Sequence, residues 1–336
     1  TYSLTYDDIS LLPDQISAVE SRSNCDTSAD FLGVKLDIPI IGSPMNTVTG
    51  GRMAKSLADL KCLGVIHRFN TIEEQIAEFE DYSLKDSEFK SAAVGINKKI
   101  DIDRLKKLAD YGIKIMCVDI ANGGSKMIES YLNDIQDIIK KYDLKIIAGN
   151  VASYETTKFL IDLKVDAIRV GIGNGAMCST SIKSGISIGQ VDAIIRALTA
   201  KDEMKSDVKI IADGGINTPG AMCKALALGC DAVMFGRVLA GTEEAPGDVL
   251  KYNNQLWKKY CGSASFAVKQ EKKNYIEGEE SLVTYKGSVT KIIRDYQEGL
   301  QSSMSYLNSR TLAEFITNST FVRLTSNSFN ERKPQV

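Results

Sequence analysis

Between Gly171 and Gly185 the chain reads GIGNGAMCSTSIKSG, directly behind the apolar run AIRV. Gly171, Gly173 and Gly175 give up side-chain packing and raise the cost of ordering, which makes sense where backbone atoms must approach something closely. Cys178 follows on the same loop, with hydroxyls behind it at Ser179, Thr180 and Ser181. The cysteine thiolate is the strongest neutral-pH nucleophile among side chains, so on such a loop it can attack an electrophilic ring carbon held opposite. The glycine carbonyls can also line a site for a monovalent cation that fixes the loop. The competing reading of Cys178 is one more small, packed hydrophobe.

A second constellation comes later. DGG, Asp213 to Gly215, follows the apolar VKIIA, and FGR, Phe235 to Arg237, follows AVM. Glycine lets N–H groups converge on an anion, and Arg237 can add charge-assisted hydrogen bonds, so the pattern suits phosphate. Asp213 beside such a site is placed to accept from ribose hydroxyls. The plainer alternative is that the glycines only make tight turns and that Asp213 caps a helix.

Something must bring these loops together. Eight nearly continuous apolar runs recur, starting at Ile38, Leu63, Ser91, Ile113, Leu144, Ala167, Val208 and Ala232. Such runs are the pattern of parallel strands buried on both faces. Helical segments lie between them. SKMIESYLNDIQDIIKKYD places Ile128, Leu132, Ile135 and Ile139 on one stripe and predicts a single helix, while Ser153 and Thr218-Pro219 mark helix starts. Eight strand–helix units without a composition break predict one α/β domain over residues 1–336, a closed (β/α)8 TIM barrel; an open doubly wound sheet is the alternative. In a barrel the loops after strands seven and eight commonly bind phosphate, and both constellations follow strands. The polar stretch 269–283 is expected to be a mobile flap, and 328–336 a frayed, disordered tail.

Bulk composition excludes several classes. Net charge is −2 with acids and bases interspersed, which argues against nucleic acid or an anionic membrane as partner. Seven cysteines without a CxxC pair suit reduced thiols, and Cys62, Cys117, Cys223 and Cys230 sit in apolar runs as core residues. No run of about 18 apolar residues occurs, and the expectation is a soluble, cytoplasmic protein.

The ordered set GIGNGAMCST, IADGGINTPG, AGTEEAPG, YCGSAS and YKGSV, with SPMNTV after the first strand, resembles the IMP dehydrogenase/GMP reductase family over nearly the whole chain. The resemblance implies a barrel, usually a homotetramer, that binds a purine nucleoside monophosphate and joins a loop cysteine to C2 of the base as a thioimidate. It assigns Cys178 as nucleophile, with Thr180 and Glu277 as the acid–base pair. Met45 would lie against the purine; Gly214, Gly215, Gly236, Tyr260, Gly262, Ser263 and Gly278 complete the nucleotide site with Asp213 and Arg237. Ser21, Arg22, Arg68, Asp119, Ala121, Asn122 and Gly123 match cofactor-binding positions. Gly173, Gly175 and Cys178 match the carbonyl donors of a potassium site.

The two branches of the family leave different marks. CVDIANGGS and SRS, Ser21 to Ser23, resemble the reductase, and only FNTIEEQIAEFEDYSLKDSEFK separates strands two and three, which leaves no room for CBS modules. The segment KQEKKNYIEGEE has Asn274 before Tyr275 where the dehydrogenase carries an arginine. SPM, ADGGI and AGTEEAPG are closer to the dehydrogenase. The reductase reading implies NADPH and GMP; IMP dehydrogenase, taking IMP to XMP with NAD, is the alternative, and a non-catalytic nucleotide-binding barrel is a third. Ser181 stands in place of an arginine, Asn46 of an aspartate and Arg237 of a small residue. His67, the only histidine, is expected to be structural.

Overall fold

The computed structural model describes residues 3–262 and 280–332. Each of the eight apolar runs forms a parallel strand: β1 (Ile40–Gly42), β2 (Leu63–Ile66), β3 (Ser91–Val94), β4 (Ile115–Asp119), β5 (Lys145–Val151), β6 (Ala167–Val170), β7 (Lys209–Asp213) and β8 (Ala232–Phe235). Every strand pairs with its neighbours in sequence, and β8 returns to β1 with Val233 opposite Ile40. The sheet is therefore a closed barrel and not an open doubly wound one. Closure explains the near-continuous apolar runs, because one strand face meets the helices and the other meets the barrel interior.

The interior is packed rather than hollow. Ile41, Val65, Ile115, Ile147, Ile211 and Met234 form a cluster with Phe31 and Leu36 of a short hairpin, Ala29–Phe31 against Val34–Leu36. Phe31 and Leu36 are fully buried. The hairpin precedes β1 and seals the end of the barrel where the strands begin. Its turn has Leu32 at φ 52° and Gly33 at φ 85°, the two positive values that a tight hairpin of this hand requires.

The expected helix starts are present. Ser153 and Thr218 accept from Thr156 N and Ala221 N, and Pro219 occupies the first turn behind Thr218. Between β2 and β3 stands the helix Ile72–Asp81, closed by a Thr71/Glu74 capping box. The single helix expected over SKMIESYLNDIQDIIKKYD is corrected to two, Lys126–Asp134 and Gln136–Tyr142. Ile135 leaves the helical region at φ −104°, ψ 7° while its side chain stays buried, so the apolar stripe continues across the break and conceals it.

Beyond β8 a three-stranded antiparallel sheet rises from Leu250–Tyr252, Gln255–Cys261 and Glu280–Thr284. The last of these strands takes residues 280–283 of the expected flap; 269–279 lie outside the described residues. The expected frayed tail is corrected in its first part, since Ser326–Glu331 is a helix whose N-cap Thr325 hydroxyl accepts from Ser328 N; 333–336 lie outside the described residues. Near the other end of the chain, Ile9–Leu11 pairs antiparallel with Phe321–Arg323. Among the described residues no helix is long and apolar enough to cross a membrane.

Replacing Phe31 by alanine should open a cavity under the barrel and cost about 3–5 kcal/mol. A fall in the chemical denaturation midpoint measures it; an unchanged midpoint would mean that the hairpin does not seal the core.

Candidate functional site

A cleft of about 410 Å³ opens at the carboxyl ends of the strands. Cys178 lines it, half-buried, and its Sγ–H donates to Thr180 Oγ1 at 3.1 Å. The other six cysteines are buried and free. Burial pushes Cys117 up to about 11 and Cys223 to about 12, so these stay thiols at neutral pH. Cys178 alone combines access to the cleft with a hydroxyl partner. The loop that carries it is tightly folded: Gly173 has φ 86°, and the Gly175 carbonyl accepts the Cys178 amide at 3.0 Å. A carbonyl keeps a second lone pair, so Gly173, Gly175 and Cys178 are compatible with a monovalent cation.

The DGG loop packs directly against this loop at the wall of the cleft. Asp213 Oδ2 accepts from Arg169 Nη2 at 2.9 Å and from Asn150 Nδ2 at 2.8 Å, so Asp213 is no helix cap. Gly214 and Gly215 follow at φ 100° and 74°. A Cβ on Gly171 would stand 2.0 Å from the Asp213 carbonyl oxygen, and one on Gly214 would stand 2.8 Å from Asn174 Oδ1. The two loops thus interlock, with no space for a Cβ at either glycine. Gln190 reinforces the join, donating to the Val170 carbonyl at 2.6 Å and accepting from Asn174 Nδ2.

At the next rim Gly236, exposed Arg237, Met45, buried Tyr260 and Gly262 line the cleft. The Tyr260 hydroxyl lies 4.0 Å from Met45 Sδ, and a Cβ on Gly236 would meet both. Lys286, from YKGSV, donates to the carbonyls of Arg237 at 2.6 Å and Val238 at 3.0 Å. It braces this turn from behind and was not singled out by the motifs.

Arg68, Asp119 and Ala121 line the far end of the same cleft. Arg68 lies over the Phe69 ring at 4.9 Å, a cation suited to a dinucleotide phosphate. Asn122 and Gly123 continue the loop after β4, which is tied to the end of β5 by Gly123 N donating to the Asn150 carbonyl at 2.7 Å. Ser21 and Arg22 are exposed and do not line the cleft; they belong to a turn beside the helix Val289–Tyr306. Ser263, Glu277 and Gly278, with Asn274 and Tyr275, lie outside the described residues. His67 is buried, and desolvation with help from Arg104 lowers it to about 4, which suits a neutral structural residue.

Sequence reasoning missed Arg169 and Asn150. The available signal was a charged residue inside the apolar run AIRV, since an inward-facing arginine in a barrel strand must find carboxylates. It missed Asn174 and Gln190 as well, for which nothing in the spacing spoke.

The description "IMP dehydrogenase / GMP reductase domain" belongs to a family model that matches residues 3–335. The chain belongs to the IMP dehydrogenase/GMP reductase family. Among the family's members, a GMP reductase from Staphylococcus aureus (strain MRSA252) is 36% identical over 314 residues, covering 93% of this chain and 94% of the relative. That of strain JH9 is 35% identical over the same length. A solved structure of a cysteine-to-alanine variant of GMP reductase from Trypanosoma brucei, in complex with guanosine 5'-monophosphate, superposes with a TM-score of 0.92 at 26% identity, covering 100% of this chain and 98% of that one. In family terms the cleft has the parts of an oxidoreductase: an accessible thiol, a hydroxyl beside it, an anion-suited rim and a far end where Arg68 pairs with Asp119.

Burial, with Arg237 adding to it, lowers the Lys286 amine to about 8. In the ligand-free protein, 13C-dimethylated Lys286 should titrate near pH 8 by NMR, protonated below and neutral above. A midpoint near the ordinary lysine value of about 10.4 would contradict the packing described.

Proposed function

We propose that the protein is a GMP reductase, converting GMP to IMP and ammonia at the expense of NADPH. The observation that carries this reading is Cys178, accessible and paired to Thr180 in the cleft that the braced Asp213 and the DGG loop also line. The relatives named GMP reductase support the choice of reaction.

The residues can perform it as follows. Asp213 accepts from the ribose hydroxyls, and Gly214, Gly215 and Gly236 present their amides to the phosphate, with Arg237 supplying charge at the exposed rim. Met45 lies against the purine. With phosphate and ribose pinned, C2 of the base is held where the Cys178 sulfur can reach it. Sulfur adds to C2, and the 2-amino group takes up one proton and leaves with its C–N electron pair as ammonia, which gives the thioimidate. Thr180 shares its hydrogen bond with the sulfur and is placed to pass a proton, with Glu277 as its partner by family match. C2 would then accept a hydride, the chemistry that a reduced nicotinamide would supply when bound, while the C–S pair returns to sulfur. Asp119, Ala121, Asn122 and Gly123 hold the nicotinamide end and Arg68 a phosphate of the dinucleotide. In balance, GMP, NADPH and two protons give IMP, NADP⁺ and ammonium. Ser21 and Arg22 as cofactor contacts, Ser263 and Gly278 as nucleotide contacts, a potassium ion on Gly173, Gly175 and Cys178, a homotetramer and a cytoplasmic location belong to the same reading.

Absorbance of the reduced nicotinamide should fall with GMP plus NADPH and stay constant with IMP plus NAD. The opposite pattern would make the protein an IMP dehydrogenase. Cys178→Ala should lower turnover by about four orders of magnitude or more, while GMP still binds by calorimetry. Persisting turnover would rule out the covalent route.

A further inference from the structure

The binding groups assigned above stand on loops, but the charge between them stands on a strand. Arg169, on β6, projects into the barrel mouth with a side chain only 6% exposed. Its Nη1 donates to Asp119 Oδ1 at 2.8 Å, and its Nη2 and Nε donate to Asp213 Oδ2 at 2.9 and 3.2 Å. Asn150, on β5, adds its own donor to the same Asp213 oxygen and bonds the Gly171 carbonyl at 2.9 Å. On the far side Arg68 Nε lies 3.4 Å from Asp119 Oδ2, and Arg68 Nη2 donates to the Asp119 carbonyl at 3.0 Å. The result is a row of alternating charge, Arg68, Asp119, Arg169 and Asp213, running across the cleft.

Arg169 is the member that reaches both carboxylates. Burial alone would lower its pKa, but the Asp213 and Asp119 carboxylates outweigh that and hold the guanidinium firmly charged. Two carboxylates facing one low-dielectric mouth repel each other, and a planar fork between them both neutralises the pair and sets its spacing. Three donors converge on Asp213 Oδ2 from within the barrel, while no protein donor among the described residues bonds Oδ1. Arg169 and Asn150 thus turn one oxygen of Asp213 inward and leave the other to a ligand.

We propose that Arg169 is a positioning residue that fixes Asp213 for the nucleotide and Asp119 for the nicotinamide cofactor together, so that one side chain sets both subsites. The proposal rests on reading the cleft as the site for GMP and NADPH. Lysine cannot replace the arginine here, because a single ammonium on a flexible stem does not span two carboxylates with fixed geometry.

The test compares Arg169→Lys with wild type, varying GMP and NADPH independently, and measures alkylation of Cys178 by iodoacetamide in the ligand-free proteins. Arg169→Lys should raise both KM values about tenfold, since each carboxylate loses a fixed charge-assisted donor, with kcat within about threefold. Alkylation of Cys178 should stay within about twofold, because the sulfur's partner is Thr180 and not the charge row. A shift in only one KM, or in neither, overturns the proposal. A parallel rise in alkylation overturns it as well, because it would mean that the whole mouth had loosened. Arg169→Met strands two buried carboxylates and can fail to fold. Asp119→Asn is therefore the second variant: it weakens Arg169 from the cofactor side, and its KM for GMP should rise together with that for NADPH, whereas an unmoved KM for GMP counts against the coupling. Calorimetric titration of wild type with GMP and with NADPH separates the two questions. No binding and no turnover in wild type would sink the reading of the site, whereas a normal wild type beside an unaffected Arg169→Lys would sink only the positioning role.

Discussion

The site depends on how closely two loops approach each other. The chain after β6 and the chain after β7 meet with no room for a methyl group, since a Cβ at Gly171 would overlap the Asp213 carbonyl oxygen. Only glycine permits that contact, and its φ of 145° would strain a side-chain-bearing residue there as well. The approach lets Gln190 bond the Val170 and Asp213 carbonyls from one position, at 2.6 and 3.3 Å, and sets Asn174 between the loops. It places the sulfur-bearing loop and the nucleotide-binding loop in one rigid frame. Glycine at 171 and at 214 is therefore what lets the two loops pack this closely.

The barrel supplies the rest of the frame through burial. Its strands are covered on both faces, so polar side chains are found mainly where the strands end and the loops begin. Asp119 and Asp213 are the last residues of β4 and β7, at the rim where water and ligand can reach them. Glu244, in the loop after β8, shows the same economy of position. Its carboxylate accepts from Ser288 Oγ at 2.9 Å and from Val289 N at 2.8 Å, tying the last barrel loop to the helix Val289–Tyr306.

Much of this was legible in the residues alone. All eight strands coincide with the apolar runs because continuous burial leaves an unbroken record in composition. Cys178, Thr180, Met45, Asp213, Arg237 and Tyr260 share one cleft, as the motifs required. What stayed hidden depended on distance across the fold. Arg169 and Asn150 lie on strands, and their partners come from other strands, so no local spacing announces them. The break at Ile135 was hidden for a different reason, because a backbone turn that keeps its side chain in the core leaves the periodicity intact. The helix at Ser326–Glu331 was overlooked because a charged, polar terminal stretch masks the threonine cap that starts it. Ser21 and Arg22 carry a motif but do not line this cleft, standing on a turn beside the helix Val289–Tyr306.

The hairpin beneath the barrel also bears on how the chain is made. Phe31 and Leu36 leave the ribosome before any of the eight strands, yet they bury themselves among side chains that extend to Met234. Until the last strand emerges and the cylinder shuts, this greasy stopper has no vessel to stop. The early segment cannot reach its final packing until partners encoded far downstream have been made.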